Sequence, residues 1–256
     1  MKRLKPGQVS LERALSKLGI ASRTQARAMI EAGRVRVNGV LREHPGFAVN
    51  PDRARIEIDG GSPVERAAPL TLALHKTRGT VTTRSDEKGR PTVFSLLSKS
   101  GGEFPHLSAV GRLDQATTGL LILTNDTQLA AWLTDPKNGV VRTYLVSVRG
   151  EVTPEKLKTL SRGVLEKGEW LKPDDVVLRK ASGKESHLVV KLSEGKNREI
   201  RRMFASLGHE VTQLKRVAYG GFELGTLKPG EYIELSQEQL RELFPGAPIR
   251  PPLDGI

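Results

Sequence analysis

The chain contains no cysteine in its 256 residues. A disulfide framework, a thiol nucleophile and cysteine-ligated zinc are therefore excluded. Aromatic side chains are scarce: two Trp, three Tyr and six Phe. Broad base-stacking platforms are not expected, and each tyrosine gains interest. No apolar run approaches the ~20 residues of a membrane helix. No apolar stretch of the secretory kind follows the basic start, Met1 to Gly7. The expectation is a cytoplasmic protein. The motifs G-x-x-x-x-G-K-S/T, G-x-G-x-x-G and G-x-S-x-G are also missing, so nucleotide cofactors and hydrolase elbows lack support. His44, His75, His106, His187 and His209 are scattered without H-x-x-x-H spacing, and no metal site is expected.

What the chain has is positive charge. It carries 41 Lys and Arg against 29 Asp and Glu, a formal +12. Such an excess points to a polyanionic partner, nucleic acid before anionic membrane. Residues 1–42 hold ten basic side chains (Lys2, Arg3, Lys5, Arg13, Lys17, Arg23, Arg27, Arg34, Arg36, Arg42) and only Glu12 and Glu31 as acids. A charge block inside a segment that can still fold reads as an RNA- or DNA-facing module.

That segment can fold because its apolar residues are periodic. Leu11, Ala14, Leu15 and Leu18 mark one helix face. Ser22 and Gln25 form an S-x-x-Q capping box for a second helix, and Gly33 stops it. Arg34-Val35-Arg36-Val37 alternates like a strand, and Asn38-Gly39 signals a tight hairpin. Gly60 to Pro69 reads as a linker. Beyond it, strands are expected at 70–74, 120–124, 143–148 and 187–192. Helices are expected at 126–133, 154–160 and 198–207, with a last one from Ser236. Strands and helices do not alternate strictly, which favours an α+β fold with a mostly antiparallel sheet. The Pro/Gly-rich tail, 246–256, should be ordered only by docking.

Three runs could carry chemistry. In Val110-Gly111-Arg112-Leu113-Asp114-Gln115-Ala116-Thr117-Thr118-Gly119, a polar, Gly-bounded loop leads into an apolar strand. Asp114 is presented beside a rigid element, where functional side chains tend to sit. The bland alternative is a turn residue bonding its own backbone. In Glu194-Gly195-Lys196-Asn197-Arg198-Glu199-Ile200-Arg201-Arg202-Met203, three arginines crowd a helix N-terminus, where cations oppose the helix dipole. They need a carboxylate or phosphate, unless they form a solvated basic face. Tyr144 in Arg142-Thr143-Tyr144 is either a core strand tyrosine or a site residue.

Together these runs resemble the pseudouridine synthases, specifically the ribosomal-RNA branch of small-subunit synthase A and large-subunit synthase B. Residues near 10–55 resemble the S4 RNA-binding domain that precedes many of them. The likeness continues through Gly79, Gly89-Arg90-Pro91-Thr92-Val93, Gly208-His209 and Lys228-Pro229-Gly230. It implies a small α/β S4 domain at 8–60, a linker at 61–69 and a mixed-sheet catalytic domain at 70–245. It also implies isomerisation of a uridine in ribosomal RNA, 23S-type before 16S-type, without metal or organic cofactor, by a monomer. Asp114 matches the family's catalytic aspartate. Tyr144 matches the tyrosine that packs on the target base, and Arg201 the basic residue that pairs with the aspartate.

The chemistry agrees with these roles. A nucleophilic carboxylate must stay ionised in a water-excluding pocket, and a nearby arginine opposes the effect of burial. The uridine must leave its stack to reach it. Arg23, Arg27, Arg34, Lys76, Arg112, Asn197, Arg198 and Arg202 are expected to contact RNA. Three departures from the family pattern stand out. Thr77 replaces a rigid proline, Thr127 a glycine, and Glu199 a glutamine, placing a carboxylate that could compete for Arg201. The alternatives are a catalytically silent RNA-binding or ribosome-assembly protein on the same fold and a membrane-surface basic protein, which would need an amphipathic helix with a large aromatic face.

Overall fold

The computed structural model describes residues 5, 7–51, 53–64, 67–99, 104 and 107–250. Lys2, Arg3 and the end of the tail, 251–256, lie outside the described residues.

The N-terminal pattern folds as its periodicity dictates. Strand β1 (Val9–Ser10) leads into helix α1 (Leu11–Lys17), which buries Leu11, Ala14 and Leu15. Ser22 caps helix α2 (Arg23–Glu31). Its hydroxyl accepts from the Gln25 amide at 3.3 Å while Gln25 accepts from the Ser22 amide at 3.0 Å. Strand β2 (Val35–Val37) turns at Asn38 and Gly39, both with positive φ, into β3 (Val40–Leu41). Strand β4 (Ala48–Val49) pairs with β1, and β5 (Ile56–Ile58) pairs with β2. Leu11, Leu15, Ala26, Ile30, Val35 and Ile56 make one core among these elements. Past β5, the Val64 amide still bonds the Ile56 carbonyl at 2.7 Å.

The rest of the chain builds around a large sheet. Its elements are β6 (Thr71–Lys76), α3 (Val93–Lys99), β7 (Ser108–Ala109), β8 (Thr118–Thr124), α4 (Thr127–Thr134) and β9 (Arg142–Arg149). Then come α5 (Pro154–Arg162), β10 (Val164–Glu166), β11 (Glu169–Leu171), β12 (Asp175–Ala181) and β13 (Glu185–Leu192). Last are α6 (Glu199–Ser206), β14 (Val211–Tyr219), β15 (Phe222–Glu223), β16 (Tyr232–Glu234) and α7 (Gln237–Leu243). Among the described residues the sheet order is β12-β13-β9-β14-β8-β6-β16, with β15 on β14 and β7 on β8. Only β14 with β8 is parallel among these pairings; the rest are antiparallel. The fold is the expected α+β class with a mostly antiparallel, mixed sheet.

The unbroken apolar run in β8 has a simple cause. Leu120 and Ile122 face one side and pack with Leu129 and Leu133 of α4, Leu240 of α7 and Phe244 just past its end. Leu121 and Leu123 face the other and join Val146, Leu188, Met203 and Phe204. A central strand covered on both faces has no polar side to show. The expected strand at 70–74 runs on through His75 and Lys76, which are polar yet buried, and the expected helix at 198 begins at Glu199. The tail docks as far as it is described: Ala247 and Ile249 pack on the α4/α7 core, and Arg250 Nε reaches Asp126 at 2.8 Å.

Candidate active site

The loop before β8 is fixed from three sides. Gly119 (φ +101°) stands opposite Arg216 in the parallel β14/β8 pair. A Cβ there would lie 2.1 Å from the Arg216 carbonyl oxygen, so only glycine lets the two backbones meet. The Thr82 hydroxyl donates to Leu113 O at 2.9 Å, and the Gly79 amide donates to Gln115 O at 2.9 Å. The Thr117 amide bonds the Asp114 carbonyl at 3.0 Å. The backbone thus makes the turn, and the Asp114 carboxylate is left for other partners. This decides against the turn-residue alternative.

Lys76 lies under this loop rather than on the RNA-facing surface expected of it. It is fully buried at the end of β6, and its ammonium donates to Thr117 O at 2.7 Å and Thr77 O at 3.0 Å. Burial pushes its pKa down to about 8, against the opposing pull of Asp114. Thr77, where a stiffening proline is absent, is tied to Thr80 hydroxyl-to-hydroxyl at 2.8 Å.

Two arginines from the start of α6 reach the carboxylate. Arg198 Nη1 lies 3.5 Å and Arg201 Nε 3.7 Å from Asp114 Oδ2. Arg198 was expected on RNA; it adopts the left-handed conformation (φ 49°) that turns its side chain onto Asp114. A non-glycine residue held there is strained, a condition that clusters at functional sites. Arg201 is mostly buried and donates through Nη1 to Val211 O at 3.0 Å, while its Nε makes no hydrogen bond. Burial, then the neighbouring Arg198 charge, lower its pKa, and Asp114 opposes both. Tyr144 of β9, paired with Arg216 and Val190, lines the same cavity of about 110 Å³ with Asp114, Ile200 and Leu214.

A second cavity of about 370 Å³ adjoins the first along Asp114 and Tyr144. Arg112, Lys196, Asn197 and Arg198 line it together with two arginines that sequence reasoning missed. Arg142 and Arg216 are both buried, and each guanidinium sits 5.0 Å from the Tyr219 ring centre. Arg142 donates to Ser193 O and Leu133 O, and Arg216 Nε to Leu120 O at 2.7 Å, leaving Arg216 Nη2 without a partner. Among the described residues neither forms a salt bridge. The only sequence signal was adjacency, Arg142 two places before Tyr144 on the same strand face.

Two more expectations need correction. Arg202, expected on RNA, is instead engaged within the protein: it clamps the β10–β11 hairpin through Glu166 and Glu169, each at 2.6 Å. Glu199 does not compete for Arg201. It is buried and accepts the Lys196 amide at 3.2 Å, and burial, reinforced by the neighbouring Glu194, pushes its pKa well above the usual carboxylate range. In the N-terminal unit Arg23 is exposed, whereas Arg27 pairs with Glu12 at 3.0 Å and Arg34 with Asp59 at 2.5 Å. Exposed pairs of this kind contribute little to stability.

The comparison with known proteins now bears on this geometry. The family model described as RNA pseudouridylate synthase matches residues 71–206, which contain Asp114, Tyr144, Arg198 and Arg201. The chain belongs to the RNA pseudouridylate synthase family. A model described as S4 domain matches residues 10–53 of this synthase. The ribosomal large subunit pseudouridine synthase B of Vibrio cholerae is 39% identical over 246 residues, covering 94% of this chain and 76% of that protein. The enzyme of the same name from Bacillus subtilis is 35% identical over 91% of this chain and 94% of its own length. An RNA pseudouridine synthase of Aquifex aeolicus, uncharacterised, is 36% identical over 93% and 94%. Among solved structures, a pseudouridylate synthase superposes with TM-score 0.63 at 27% identity, over 92% of this chain and 99% of that one. The synthase thus carries an RNA-binding S4 domain ahead of an isomerase fold. Among the described residues, no group of three or more His, Asp or Glu is placed to hold a metal, and no helix is long and apolar enough to cross a membrane.

Proposed function

We propose that this synthase isomerises a uridine of large-subunit, 23S-type ribosomal RNA, with Asp114 as the nucleophile. The observation that carries the reading is the Asp114 side chain, released from its own turn and set against Arg198 and Arg201 beside Tyr144. The target uridine flips out of its stack, and its base enters the smaller cavity against the Tyr144 ring. Asp114 attacks the nucleoside while the N1–C1′ bond breaks. The freed base turns, C5 bonds to C1′, the bond to Asp114 breaks and returns the free carboxylate, the C5 proton leaves and N1 gains one, so atoms balance without an added reactant. Arg198 and Arg201 face the carboxylate and supply positive charge where negative charge sits during the reaction.

RNA backbone is the natural occupant of the second cavity. Arg112, Lys196 and Arg198 at its rim and the uncompensated Arg142 and Arg216 in its wall suit phosphate. Asn197 adds an uncharged polar contact there. Arg23, Arg27 and Arg34 would hold a distant part of the fold of the same RNA, without reading bases. Each proposed reacting group comes from one chain, which supports a monomer, and a ribosomal substrate supports a cytoplasmic enzyme. The preference for the large subunit rests on the names of the relatives. Mapping pseudouridines in rRNA from a deletion strain against its parent tests it. Loss of one site in large-subunit rRNA is expected; a lost site in small-subunit rRNA would overturn the substrate assignment.

A further inference from the structure

The loop that delivers Arg198 to Asp114 is closed by two acids in contact. Glu199, only 4% exposed, accepts the Lys196 amide through Oε2 at 3.2 Å. Its Oε1 has no donor to receive from. What it faces is the Glu194 carboxyl, another acceptor, so a bond forms there only when one acid carries a proton. Glu194 in turn takes the Lys196 ammonium at 2.6 Å, and that ammonium also donates to Trp170 O at 2.7 Å. Lys196 therefore ties the run 194–199 together, its amide on Glu199 and its ammonium on Glu194. Among the described residues the side chain of Arg198, strained at the end of this run, bonds only Asp114.

We propose that the proton shared by Glu199 and Glu194 is a latch: it closes the 194–198 loop and so keeps Arg198 on Asp114, making Glu199 a positioning residue of the reaction. When the proton leaves, two carboxylates in contact repel, and only Lys196 remains to hold both. The loop loosens and a second negative charge enters the cavity beside Asp114. The other charged or titratable groups around the latch are Arg198 just before α6, Arg201 of α6, Glu169 of β11 near Lys196, Arg112 and Asp114 of the loop and Tyr144 of β9. This inference rests on the assignment of Asp114 above.

Glu199 holds its proton up to about 8, so the latch opens within an accessible range. The test is a single-turnover pH–rate profile on transcribed large-subunit rRNA for wild type, Glu199→Gln and Glu199→Ala, each normalised to its own maximum. Glutamine keeps a neutral donor facing Glu194 and cannot ionise. The alkaline limb of the wild type should shift upward in Glu199→Gln, and the maximum of Glu199→Gln should exceed that of Glu199→Ala several-fold. Lys76 titrates in the same range but is present in all three proteins, so the difference belongs to Glu199. Superimposable limbs, or equal maxima for the two variants, would overturn the latch.

A second arm needs no substrate, so the latch is judged separately from the choice of RNA and from Asp114. The folded pKa of Glu199 is raised above the ordinary 4.5 of an unfolded chain. Its contribution to stability is full below that ordinary value and is lost as pH rises through about 8. The Tm of Glu199→Gln minus that of wild type should therefore widen steadily from pH 5 to pH 8. A constant difference would show that Glu199 is ionised throughout, and there would be no shared proton.

Discussion

Arg201 Nε lies 3.7 Å from Asp114 Oδ2, buried and without any hydrogen-bond partner of its own. A guanidinium nitrogen in that state is held for a charge rather than for a fold contact. Arg201→Ala should therefore cut kcat by ~10²–10³-fold, the usual cost of one electrostatic donor. Unchanged turnover would count against the pair.

Asp114→Asn keeps the shape of the side chain and the turn made by its backbone. Turnover should drop by on the order of 10⁴-fold or more, as for loss of other nucleophiles. RNA affinity by filter binding should stay close to wild type, because phosphate contacts lie elsewhere. Retained turnover would remove Asp114 from the nucleophile's role.

Gly119→Ala tests the scaffold rather than the chemistry. Its Cβ would meet the Arg216 backbone, which cannot swing aside, and φ +101° is itself costly for alanine. A penalty of about 3 kcal/mol is expected. Calorimetry should show Tm falling by roughly 6–12 °C. A change of a degree or less would mean that the β8/β14 approach is looser than described.

Arg23, Arg27 and Arg34 should act through phosphate. Replacing all three by alanine should lower the slope of log affinity against log salt by about 2–3, at 0.7–0.9 per lost contact. Turnover of bound RNA should be little changed. A slope equal to that of the wild type would show that these arginines keep Glu12 and Asp59 as partners in the complex.

By itself the sequence determined the local elements and the loop that presents Asp114. The capping box at Ser22, the Asn38-Gly39 turn and the apolar run after Gly119 are legible because they depend on neighbours in the chain. The same holds for the Gly-bounded loop that presents Asp114. Tertiary structure alone decided which cations serve which anions. Arg198, Arg201 and Arg202 look alike in sequence, yet the left-handed turn at 198 and the helix period send two to Asp114 and the third to Glu166 and Glu169. Lys76 reads as a surface lysine, but its strand ends beneath a loop whose carbonyls need a donor. Arg142 and Arg216 come together only because β9 and β14 are adjacent in the sheet. Whether Glu199 is a rival carboxylate or a protonated latch depends on burial and on Glu194. Partner choice among charges is set by distance and desolvation in three dimensions, and neither is written along the chain.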